Sequence, residues 1–130
     1  MNDIVAPGIT RTQWEQFGLE VDGGTFFLHP DVARGVLAAC DEYRASLVES
    51  KRLARHLELV DGFGTLPSGQ ALRDKFSRKA VGGDDALVDV LASHITVIDE
   101  MRAFFTKCIE SAQNQESENA ASLRNLDFPR

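Results

Sequence analysis

From Pro30 onward, apolar and small residues recur at alternating steps of three and four: Ala33, Val36, Cys40, Tyr43, Leu47, Ser50, Ala54 and Leu57. That step places them along one side of a helix, as a seam that can pack on a neighbour. His29 or Pro30 opens the helix, and Gly62 supplies a C-terminal stop. Some 30 residues rising about 1.5 Å each predict a rod of roughly 45 Å. A longer seam follows Gly82-Gly83, through Leu87, Leu91, His94, Ile98, Met101, Phe105, Cys108, Ala112, Gln115 and Asn119. Asp84 and Asp85 suit its N-terminus, where the helix dipole favours negative charge. Beyond Ala112 the seam turns polar, so the last turns are expected to leave the core.

Between the rods lies GTLPSGQA, residues 64–71, with two glycines spaced as in a phosphate-binding loop. That loop needs a lysine and then a hydroxyl residue after its second glycine, and a strand before its first. Here Gln70 and Ala71 stand in those places, and the preceding KRLARHLELV reads as helix. The stretch is therefore a connector. Gly62 and Gly64 end the first rod, and Ser68 caps a short amphipathic helix with Leu72, Phe76 and Ala80 on one face. A DNA-binding helix-turn-helix is disfavoured, because the helix that would enter the groove starts Asp84-Asp85 and adds Asp89.

The first 28 residues form an arm. LEVDGGTFFL, residues 19–28, is expected as a small β-hairpin with Asp-Gly or Gly-Gly at its turn. Trp14 and Phe17 should pack with it on the helices.

With 130 residues the chain fits one domain: arm 1–28, helical hairpin 29–123 and tail 124–130. The formal net charge is −6, which argues against nucleic acid and anionic membrane as partners. Its distribution is uneven: residues 44–80 hold eight basic side chains against four acids, whereas both flanks are acidic. There is no Sec-type leader and no membrane span, so the expected compartment is the cytoplasm. Cys40 and Cys108 make neither a disulfide framework nor a zinc pattern, and both are expected as reduced thiols. His94 lies on the second seam as a core or register-setting residue, and His29 beside a helix start as a cap or surface residue. Leu53 and Leu91, three before His56 and His94, exclude the Glu-x-x-His pairs of a di-iron bundle. Leu66 breaks the Gly-x-Ser-x-Gly elbow around Ser68. The reading is a non-enzymatic chain with no cofactor or metal.

Two seam-bearing helices around a glycine-rich break resemble the helical-hairpin proteins of type VII (ESX) secretion in actinobacteria. HPDVARGVLAACDEY, GFGTLPSGQALRDKFSRKA and HITVIDEMRAFF resemble the longer members, which have an extra helix in the connector. The resemblance spans about residues 29–123. It implies a secretion substrate, co-secreted partner or helper that pairs with another hairpin. Two family signatures are missing. Trp14 is followed by Glu15-Gln16 in place of Xaa-Gly, and the only tyrosine, Tyr43, lies in the first rod instead of in a Tyr-x3-Asp/Glu signal after the second. Export, if it occurs, then depends on a partner. The alternatives are a cytosolic adaptor or chaperone for a secreted toxin and, behind it, a DNA-associated regulator.

The expected fold is all-α, an antiparallel hairpin that brings Leu57 near Leu87 and Cys40 near Phe104 or Phe105. One hairpin leaves Val32, Leu37, Val48, Val90, Val97 and Phe104 off the seam, so a four-helix bundle of two chains is expected, as homodimer or heterodimer. The candidate interaction residues are Val36, Tyr43, Leu47, Phe76, Leu91, Ile98, Met101, Phe104 and Phe105.

Overall fold

The computed structural model describes residues 11–126, with four helices in the order α1 (Arg11–Asp22), α2 (Pro30–His56), α3 (Pro67–Ala80) and α4 (Leu87–Asn125). No strand occurs among the described residues. Residues 1–10 of the expected arm and 127–130 of the tail lie outside them.

The two long helices pair as an antiparallel hairpin. Arg44 of α2 bonds Asp99 of α4 at 2.7 Å, and Arg102 of α4 bonds Asp41 of α2 at 2.5 Å, which fixes the register. That register sets Leu57 level with the start of α4 and places Cys40, Phe104, Phe105 and Cys108 in one cluster. Both cysteines are free, buried thiols. At 39 residues α4 is about 58 Å long, against about 40 Å for the 27-residue α2. Its last turns have no neighbour of similar length, and residues 113–126 are exposed, as the polar end of the seam predicts.

The expected β-hairpin is corrected. Leu19 to Asp22 are the last turn of α1, and Gly23-Gly24 ends that helix. The Gly24 amide donates to the Val21 carbonyl at 3.1 Å and the Thr25 amide to the Glu20 carbonyl at 3.0 Å. With Gly24 at φ +76°, these are the paired bonds of a Schellman cap. A hairpin turn and a helix cap both ask for a glycine at positive φ, so the dipeptide alone does not choose between them. The preceding residues do. Trp14, Phe17 and Val21 are spaced by three and four, and they cover a second side of α4.

Three boundaries also move. α2 stops at His56, before Gly62, through three-residue-spaced amide bonds from Leu57, Glu58 and Leu59. The register explains this, because α4 offers nothing to pack on beyond Leu57, and a helix persists chiefly where its apolar face is buried. Pro67 and not Ser68 starts α3, with Leu66 at the cap position and no side-chain capping bond. Pro at the first helical position has a preset φ and lacks an amide that would be unpaired there. Asp84 and Asp85 belong to the turn before α4, with Asp85 at φ +54°, and the helix begins at Leu87. His29 does cap α2, its Nδ1 accepting from the Asp31 amide at 3.2 Å.

The glycines of GTLPSGQA are structural. Gly64 sits at φ +79°. A Cβ on Gly69 would come 2.2 Å from the Phe63 carbonyl oxygen, so the connector passes against α3 at a position where no side chain fits.

Trp14 lies 5.6 Å from Phe104 and 6.0 Å from Phe105, ring centre to ring centre. Trp14→Ala should therefore destabilise the fold by about 2 to 3 kcal/mol, below the range for a fully buried tryptophan because one side of the ring is open. Chemical denaturation measures this. A change under about 0.5 kcal/mol would mean that α1 does not stabilise the bundle.

Candidate interaction surface

The nine candidate residues divide by burial. Leu47, Ile98, Phe104 and Phe105 are in the core, and Val36, Leu91 and Met101 are half-buried against it. Only Tyr43 and Phe76 are exposed, at 51% and 52%. The four core residues are buried within the chain itself. Phe104 is the clearest case, since Trp14, Phe17 and Phe26 all hold rings within about 6 Å of it. α1 and the turn after it cover Phe104 within one chain, while Val32, Val48 and Val90 stay exposed.

The α2 seam splits into two rows with seven-residue spacing. Ala33, Cys40, Leu47 and Ala54 are all buried. Val36, Tyr43, Ser50 and Leu57 run beside them, from half-buried at Val36 to 50% exposed at Leu57. The two rows lie about 60° apart around α2, so one faces α4 along its length while the other looks past it toward solvent. Leu87 and Val90, at the start of α4 level with Leu57, are exposed as well. These residues form an apolar strip at the end of the hairpin that α1 does not reach.

A second exposed region is α3 with its connector. Phe63 stacks on Phe76 at 5.6 Å, and the Ser77 hydroxyl donates to the Glu58 carbonyl at 2.8 Å. Of α3 itself only Ala80 is buried. Leu59, Leu66 and Leu72 are exposed beside Lys75, Arg78 and Lys79.

The chain matches no known family, no curated protein and no solved structure. The hairpin resemblance therefore rests on the chain's own residues.

No cluster of His, Cys, Asp and Glu able to hold a metal occurs among the described residues. His94 is half-buried and makes no hydrogen bond among the described residues. Burial pushes the thiols of Cys40 and Cys108 up, with the Asp41 carboxylate adding to the effect at Cys40. Both are poor nucleophiles at neutral pH. No helix among the described residues is long and apolar enough to cross a membrane.

Charge at the α2–α4 contact is concentrated on Asp99. It accepts from Arg44 at 2.7 and 3.4 Å and from Arg102 at 3.4 Å. The bond from Arg44 holds its carboxyl below the usual range, against a smaller opposing effect of burial. A carboxyl whose folded pKa is depressed contributes stability above its unfolded pKa and loses it as pH falls through the folded one. Wild type should therefore exceed Asp99→Asn in stability above about pH 4, and the difference should vanish in more acid solution. Urea titrations at pH 7 and pH 3 test this; an equal difference at both would remove Asp99 from the account.

Proposed function

We propose that this chain is a non-enzymatic helical interaction protein whose open strip takes an apolar helix of a partner, as members of the type VII hairpin superfamily do. The observation that carries the reading is the row of Val36, Tyr43 and Leu57, interrupted by Ser50, that runs beside the buried one, with Leu87 and Val90 exposed near its Leu57 end. Placing one more helix there would give the four-helix geometry that such rows favour. A partner hairpin would cover that strip, either as a second copy or as a different chain. Since Phe104 is already covered by α1, the strip and not the Phe104 side is the proposed contact. Association with type VII secretion, as substrate, co-secreted partner or helper, rests on the resemblance of residues 29–123.

A photo-crosslinking residue at position 43 tests the contact when the chain is coexpressed with helical hairpins encoded beside it. Position 34, on the opposite side of α2, is the control. Crosslinks to a partner or to a second copy are expected at 43 and not at 34. Tyr43→Glu should weaken the complex at least tenfold, about 1.4 kcal/mol, with helical content unchanged. Equal crosslinking at both positions, or unchanged affinity in Tyr43→Glu, would overturn the reading.

A further inference from the structure

Val90, Val97 and Phe104 recur every seven residues on α4, so each lies within about 20° of the next and the three share one side. α1 covers only part of that side. Phe104 is buried beneath Trp14 and Phe17, whereas Val90, two heptads nearer the start of α4, is 40% exposed. Leu87 and Leu57, at the same end of the hairpin, are exposed with it.

The direction of α1 decides what can reach this end. Trp14 stands by Phe104, and Lys107 bonds Asp22 at 2.8 Å, so α1 runs parallel to α4. Followed backward past Arg11, the chain therefore approaches the level of Val97 and then of Val90. Arg11 lies about 4.5 Å back from Trp14, and Val90 about 21 Å back from Phe104, which leaves a gap of roughly 16 Å along the bundle. The ten residues that precede α1 span up to about 33 Å at full extension. Half of them suffice to reach Val90, and the other half can lie over Leu87 and Leu57.

Their chemistry fits that surface. Met1, Ile4, Val5, Ala6, Pro7 and Ile9 are apolar, and Asp3 is the only charged side chain among the ten. Covalent attachment separates this segment from a free chain as the occupant. A short tether holds its segment at an effective concentration of the order of millimolar, so even weak apolar contacts are made before a dilute partner arrives.

We propose that residues 1–10 cover the Val90, Leu87 and Leu57 end of the strip of their own chain, with Ile4, Val5 and Ile9 supplying the apolar contacts. A partner helix that takes the whole strip must then displace them, so the segment regulates that contact. The regulation rests on the partner reading above, whereas the contact within the chain does not.

A photo-crosslinking residue at position 90 of the full chain tests the proposal, with position 34, on the far side of α2, as control. An equal mixture of isotope-labelled and unlabelled protein, mapped by mass spectrometry, separates capture within a chain from capture between chains. Crosslinks from position 90 to residues 1–10 of the same chain are expected, and none from position 34. Ile4→Ser with Ile9→Ser should lower their yield roughly tenfold, with circular dichroism unchanged. No crosslink from 90 to residues 1–10, crosslinks only between chains, an equal yield from 34, or an unchanged yield in the Ile4, Ile9 variant overturns the proposal. Capture within the chain at 90 without a partner at 43 supports this proposal and sinks the partner reading. A partner at 43 without capture at 90 does the reverse.

Discussion

Phe104 and Phe105 are consecutive on α4, so their side chains leave the helix about 100° apart, and a single helix packed along the seam does not enclose both. Their rings are 5.0 Å apart and nearly perpendicular, and both reach Trp14. α2 covers the seam side of α4 with Cys40 and Leu47, while α1 covers the Phe104 side with Trp14 and Phe17. From that requirement follow the need for a third helix, the central place of α4, and the glycine turn that returns the chain from α1 to α2. The bond from Lys107 to Asp22 at 2.8 Å closes the end of α1 onto α4, although an exposed pair of this kind contributes little by itself.

The two long helices were legible because length and period agreed over many turns, and they pair antiparallel as expected, in a register held by Arg44–Asp99 and Arg102–Asp41. Other features depended on information that local pattern does not carry. The Gly23-Gly24 pair fits a hairpin turn as well as a helix cap, and only the Trp14, Phe17, Val21 spacing separates the two. The end of α2 depends on where α4 begins, which is a tertiary fact. A seam of alternating threes and fours spans about 60° of the helix surface, and here one row of it is buried while the other is largely exposed. For the candidate surface this division matters most: it leaves Tyr43 outside and puts Leu47 inside, and it adds Leu57 and Leu87, which the list of candidates did not include.

Charge and exposure together give the molecule two different ends. The α3 end joins basic residues to exposed leucines and Phe76, while the far end of α4 is a polar helix with no neighbour of its own length. The apolar strip runs along α2 and reaches the α3 end at Leu57, Leu87 and Val90. Such a layout lets one contact be made along the helices and another at the tip, each with its own chemistry and salt dependence.

The claim on which the account rests is that α1 covers the Phe104 side of α4 within the same chain. An isotope-filtered nuclear Overhauser experiment on an equal mixture of labelled and unlabelled protein measures it directly. The account predicts strong contacts from the Trp14 indole to the Phe104 and Phe105 rings within one chain and none between chains. Contacts that appear only between labelled and unlabelled chains, or none from Trp14 to either ring, would contradict it.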